Sequence, residues 1–180
     1  MVDPTWVLVL MLAVQPDAPW RATYEATAEA IAWEASRAPE FGDEYRTAAL
    51  LVSLAWFEST LRPDAAGDCT LDGAASSCST KGAVPHSFCL MQIHESNLAG
   101  LHTTRAEVQS DVRACVRAGL ALVHTSLRVC RDDPLETRLA WYAGGGPSCP
   151  QNDDARRKAK HRFLRARALL AAHPPERETP

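Results

Sequence analysis

Glu58 is the residue of this chain best placed for chemistry. It follows Ala48-Ala49-Leu50-Leu51-Val52-Ser53-Leu54-Ala55-Trp56-Phe57, a stretch that is apolar nearly throughout. A carboxylate beside such a stretch is costly unless it is paired, exposed in a cleft or protonated. Burial raises the pKa of a carboxylic acid, which makes it usable as a general acid near neutral pH. Taken alone, however, the feature is better explained as the solvent-facing end of a buried helix. Asp64, Asp68 and Asp72 follow it, but Gly67-Asp68 and Asp72-Gly73 read as turn pairs. The six histidines and six cysteines contain no Cys-x-x-Cys and no His-Glu-x-x-His, so no metal site is expected. No Gly-rich phosphate loop follows a strand either, because Gly144-Gly145-Gly146 comes after a helical stretch.

The elements that would hold Glu58 read as helices. Trp20, Tyr24, Ala28, Ile31 and Ala35 recur at steps of three or four, and Pro39 and Gly42 end that pattern. Asp43 is a good N-cap for a second helix running to about Glu58, apolar nearly all round and so expected to be buried. From Arg62 to about Ser87 there is no helical period, and a loop of that length inside a compact domain is usually functional. Thr104-Arg105-Ala106-Glu107 matches a capping box. Apolar residues at 112, 115, 116, 119, 120, 123 and 127 form a long one-sided helix between Asp111 and Cys130. Asp133 as N-cap, Pro134 at the first position and Glu136 at the third predict a further helix ending at Gly144. The last helix, about Asp153 to Ala172, carries Ala155, Ala159, Phe163, Ala166 and Leu170 on one face.

Three short segments in this frame resemble one family. Glu58-Ser59-Thr60-Leu61-Arg62-Pro63-Asp64-Ala65 resembles the Glu-Ser signature of the soluble lytic transglycosylases, within the superfamily that includes goose-type lysozymes. Ser87-Phe88-Cys89-Leu90-Met91-Gln92-Ile93 is similar to their Ser-x-Gly-Leu-Met-Gln-Ile segment, and Leu139-Ala140-Trp141-Tyr142-Ala143-Gly144 to their Ala-Tyr-Asn-Ala-Gly motif. The motifs come in the family's order and cover roughly residues 45 to 150. The resemblance implies a mainly α, lysozyme-like fold with a small irregular or β-hairpin lobe at about 62–90. It implies Glu58 as catalytic acid/base and Ser59 as the neighbour that holds the glutamate or substrate. Met91 and Gln92 match residues lining the sugar groove, and Tyr142 matches the tyrosine whose hydroxyl approaches the carboxyl. Two departures stand out: Cys89 replaces the usual Gly, and Ala143 stands where the family has Asn.

The activity so implied is cleavage of peptidoglycan glycan strands at the MurNAc-GlcNAc bond without cofactor. A hydrolase that inverts the anomeric carbon needs a second carboxylate roughly 6.5–9.5 Å from the first to activate water. A transglycosylase needs one carboxyl, which acts first as acid and then as base on the muramoyl 6-hydroxyl. The alternatives are a goose-type lysozyme using one of the loop aspartates and water, or a catalytically silent glycan-binding or structural module. By analogy with compact domains of this kind, the partners expected are glycan strands and a phage, injection or conjugation machine. The chain itself is expected to be monomeric.

Composition limits the rest. The 180 residues carry 19 Lys and Arg against 22 Asp and Glu, with 46% hydrophobic residues, an ordinary globular balance. A pI of about 6.1 argues against a nucleic-acid partner. Arg156, Arg157, Lys158, Lys160, Arg162, Arg165 and Arg167 on the last helix read as a solvated face, with attraction to anionic wall polymers or an anionic partner as the alternative. Residues 1–19 contain the apolar run Trp6 to Val14, too short to span a membrane. It has the size of a signal's apolar core, but no Lys or Arg precedes it and no good Ala-x-Ala site follows, which favours a short helix covering the core. Residues 20–172 then form the domain and 173–180 a disordered tail. An even cysteine count points to an oxidising location: periplasm, cell envelope or extracellular space. Cys115 and Cys130 cannot pair within one straight helix, a bridge among Cys69, Cys78 and Cys89 would restrain the loop lobe, and Cys130 can reach Cys149. The connectivity as a whole stays open.

Overall fold

The structure, a computed structural model, describes residues 1–40 and 43–176. It is mainly helical, 58% helix and 6% strand, with eight α-helices and a small antiparallel sheet among those residues. Helix α1 is Pro4–Val14, α2 is Tyr24–Arg37 and α3 is Glu44–Ser59. The lobe that follows contains β1 (Ala66–Gly67), β2 (Thr70–Leu71), β3 (Ala74–Ala75), β4 (Ser87–Phe88) and β5 (Ile93–His94). Then come α4 (Glu95–Leu98), α5 (Arg105–Ser110), α6 (Val112–Val129), α7 (Ala140–Gly144) and α8 (Asp153–Ala172).

The buried block of α3 sets this arrangement. Every residue from Thr47 to Ala55 is buried, so α3 must be covered on all sides. Helix α8 gives it its most extensive packing, with α2, α1 and α6 completing the enclosure. Asp43 starts α3 as expected, accepting from the backbone N–H groups of Tyr45 (2.9 Å) and Arg46 (3.0 Å). Pro39 lies in the break before it, and Gly42 falls outside the described residues. Asp3 caps α1, Pro4 takes its first position, and Val7, Leu10, Met11 and Val14 are buried against the core. No helix among the described residues is long and apolar enough to cross a membrane. At the other end, His173 closes α8 and its carbonyl accepts from Trp6 Nε1 at 2.9 Å, while residues 177–180 of the expected tail lie outside the described residues.

The lobe has little sheet. Strand β4 pairs antiparallel with β1 and β5, with Ser87 opposite Gly67 and His94, and β2–β3 form a separate hairpin. Disulfide bridges cross-link it. Cys69–Cys78 bridges the hairpin region, and Cys89–Cys115 ties the lobe to α6. Cys130–Cys149 joins the end of α6 to the segment before α8. His86 adds a polar clip, with Nδ1 2.6 Å from Glu95 Oε1 and Nε2 2.8 Å from Thr70 Oγ1.

Two expectations need correction. The helix predicted from Asp133 to Gly144 is broken into a 3-10 turn, Leu135–Thr137, and α7, with Pro134 extended outside it. The cause is Ser126, fully buried on α6. Its hydroxyl donates to the Arg138 carbonyl (2.8 Å) and accepts the Tyr142 N–H (3.0 Å), the pair that a continuous α-helix would bond to each other. On α8 the buried stripe is Ala155, Ala159, Arg162, Ala166 and Leu169, so Phe163 and Leu170 lie at its edge. Arg162 therefore leaves the solvated face to which its composition assigned it.

Candidate active site

Glu58 sits in the last turn of α3, and its side chain is 17% exposed. The helix ends immediately after it because Thr60 (φ 55°) and Leu61 (φ 63°) turn left-handed. Their N–H groups donate back to Trp56 (2.9 Å) and Ala55 (3.2 Å). Leu61 is fully buried, which anchors this unusual turn and holds the carboxyl at the edge of the core. Arg162 approaches from α8, with Nη2 2.5 Å and Nε 3.0 Å from the same oxygen, Oε1. Burial pushes the Glu58 carboxyl above the usual carboxylate range, Arg162 and Lys158 oppose that, and the charge of Asp68 adds to it.

Three segments far apart in the chain meet beside this carboxyl. Ser59 Oγ lies 2.9 Å from the carbonyls of both Ala55 and Leu90, with one proton to share, and accepts the Arg62 N–H at 3.1 Å. Ser59 thus pins the end of α3 to the turn between β4 and β5. Tyr142 on α7 donates its hydroxyl to the Met91 carbonyl at 2.8 Å, so the same turn also holds the third segment. Enclosure of that hydroxyl raises its pKa well above the ordinary tyrosine value, and the Glu58 charge adds to the effect.

The turn itself is built on left-handed residues. Cys89 has φ 61° and Gln92 has φ 49°, and the Gln92 N–H donates to the Cys89 carbonyl at 3.0 Å. Position 89 is where glycine would adopt that φ without a Cβ penalty. Here the bridge to Cys115 on α6 holds a cysteine in the same conformation. Met91 does not turn its side chain to a groove: it is fully buried against Gly119, and its carbonyl alone points toward Tyr142. Gln92 donates Nε2 to the Cys89 carbonyl (3.0 Å), and a Cβ added at Gly67 would stand 2.0 Å from its Oε1. That close approach explains a glycine at 67. Asp68, read from sequence as a turn residue, does have a left-handed φ of 50°, and its carboxylate also accepts from the Ser87 hydroxyl.

Of the five residues singled out by sequence, Glu58, Ser59, Met91, Gln92 and Tyr142 all lie in or against this junction, Met91 from its buried side. Arg162 and Ser126 were missed. The signal for Arg162 is its phase, since 155, 159, 162, 166 and 169 follow the steps of four and three that mark a core-facing helix stripe. Among the described residues, Cys130, Asp133 and Cys149 cluster closely enough to suggest metal ligation, but both cysteines are spent in one disulfide. Comparison of the chain with protein-family models, with curated proteins and with solved structures finds no match.

Proposed function

We propose that the chain is a peptidoglycan lytic transglycosylase, with Glu58 as its sole acid and base. The observation that carries this reading is the convergence of the three sequence segments through Ser59–Leu90 and Tyr142–Met91 hydrogen bonds around one largely buried carboxyl. In the reaction, Glu58 gives its proton to the GlcNAc O4 as the bond from MurNAc C1 breaks. The resulting carboxylate then takes the proton of the muramoyl 6-hydroxyl, whose oxygen bonds to C1 and closes a 1,6-anhydro ring. Atoms balance without water or cofactor. Tyr142, held by Met91, braces the carboxyl's surroundings, and Gln92, on the same turn, is assigned to sugar contact by the resemblance alone. Ala143 supplies no amide where the resembled family has one, so contacts to the sugar there are reduced. An oxidising location in the periplasm, the cell envelope or outside the cell accords with three disulfides and with a cell-wall substrate. Attachment to a phage, injection or conjugation machine rests on analogy alone.

Asp68 favours a second reading, a lysozyme that uses water. Its carboxylate is close enough to act on Glu58, and the Ser87 hydroxyl fixes it, as a water-activating base requires. Digestion of purified peptidoglycan separates the readings. Mass spectrometry of wild-type products is expected to show termini one water lighter than a reducing sugar, and Glu58→Gln is expected to release at least about 100-fold less. Reducing ends would establish the hydrolase instead, and equal release by Glu58→Gln would remove Glu58 from its role. No release by the wild type would leave a silent glycan-binding module.

A further inference from the structure

We infer that Arg162 is the positioning residue for Glu58, holding Oε1 so that Oε2 is the oxygen that gives and takes the proton. The inference rests on the reading of Glu58 as acid and base. Arg162 is the one charged member of the buried α8 stripe, 7% exposed among Ala155, Ala159, Ala166 and Leu169. Burying a guidinium-bearing side chain there is costly unless its charge is paired and hydrogen-bonded, and an alanine would complete the stripe. Its backbone is fixed as well. The buried Ser53 hydroxyl of α3 donates to the Arg162 carbonyl at 2.8 Å, which locks the two helices together less than two turns before Glu58. The Phe57 ring lies 5.7 Å from the guanidinium carbon and flanks it.

The fork is spent on one oxygen. Nε and Nη2 both donate to Oε1, and among the described residues Oε2 has no hydrogen-bond partner. Two N–H groups aimed at Oε1 oppose a proton on that atom, so the acidic proton resides on Oε2. The groups facing the carboxyl are Arg162 and Lys158 from α8, Asp68 from the lobe and the Tyr142 hydroxyl from α7. Arg162 and Lys158 favour the carboxylate, whereas Asp68 and burial favour the acid. A single residue that must be acid and then base in one turnover needs this opposition, because either influence alone would strand it in one form.

The test uses the full chain with Arg162→Gln and Arg162→Lys. Without substrate, the Glu58 carboxyl carbon is titrated by nuclear magnetic resonance. Its midpoint is expected to rise in Arg162→Gln, because a neutral amide no longer opposes burial, and to stay nearer the wild-type value in Arg162→Lys. On peptidoglycan, the alkaline limb of kcat/KM moves to higher pH in Arg162→Gln. In Arg162→Lys, kcat falls roughly 10- to 100-fold with KM nearly unchanged, since a compact ammonium keeps the charge but not the fork. An unmoved Glu58 midpoint in a folded Arg162→Gln overturns the inference. If that variant does not fold, an unreduced kcat in Arg162→Lys overturns it. A wild type that releases nothing from peptidoglycan refutes the proposed function instead, and the titration still decides whether Arg162 governs the Glu58 proton.

Discussion

Gly119→Ala isolates the packing that supports the turn between β4 and β5. On an ordinary exposed helix, alanine is better than glycine by about 1 kcal/mol. Gly119 is on α6 facing Met91, and an added Cβ would stand 2.5 Å from Met91 Cε, 2.8 Å from Cγ and 3.0 Å from Cβ. The Cε end can swing aside, but the Cβ moves only with the backbone, and Met91 is fully buried with no space to enter. Overpacking of this kind costs about 1–3 kcal/mol. Set against the helical gain, the net loss is about 1 kcal/mol, or a fall of about 2–4 °C in Tm for a chain of this size. Urea unfolding with an unchanged m-value measures it. The substitution should also slow glycan release, because the displaced turn carries the Leu90 and Met91 carbonyls that hold Ser59 and Tyr142. A second background separates the contacts made by the end of the Met91 side chain from the one made by its Cβ. Met91→Ala alone should cost about 2–5 kcal/mol through its cavity. In that background the Cγ and Cε contacts are gone while the Cβ at position 91 still stands 3.0 Å away, so Gly119→Ala should become nearly neutral, which puts the pairwise coupling at about 1 kcal/mol. A higher urea midpoint for Gly119→Ala in the wild-type background would refute the close contact.

Two further outcomes test other parts of the frame. Removing the Cys89–Cys115 bridge by paired serine substitution opens a loop of sequence separation 26. The loop-closure estimate gives a loss of about 3.5 kcal/mol, seen as a fall of about 7–14 °C in Tm; a loss under about 1 kcal/mol would mean that the turn is held without it. Glu34, buried on α2, is pushed above the usual carboxylate range by burial, with Arg117, Arg37 and Arg113 opposing and Asp111 adding. A raised folded value means that its contribution is fully present below about pH 4.3 and is lost as pH rises through that folded value. The stability of the wild type relative to Glu34→Gln should therefore decline as pH rises above about 4.3 in urea titrations, and a flat difference would contradict the burial.

Local signals were legible where one segment decides its own structure. Asp43 and the apolar block after it define α3, Thr104 and Glu107 form the expected capping box, and the segment from Asp153 to Ala172 forms α8. Cys130–Cys149 is one of the pairings that helix geometry allowed. The failures are tertiary. Nothing within residues 133–144 announces that a serine from α6 will enter the ladder between Arg138 and Tyr142. Arg162 is hidden by six other cations on its helix, and only its phase against Ala159 and Ala166 distinguishes it. Met91 shows a third kind of gap, since the turn's order is readable but the direction of each side chain depends on the glycine across from it at 119.

The pairing of Glu58 with Arg162 joins residues 104 apart in sequence, on α3 and on the last helix. A ribosome delivers α3 long before α8, so the nascent chain carries the apolar block from Thr47 to Ala55 without the cover that α8 supplies. At roughly 5–20 residues per second, the 20 residues of α8 take about one to four seconds to synthesise. Until they emerge, Glu58 is an unpaired carboxylate beside exposed hydrophobic surface. Order of synthesis thus makes the carboxyl's environment the final part of the molecule to be completed. A chain truncated before residue 153 should be captured by chaperones or aggregate rather than persist as a partly competent domain.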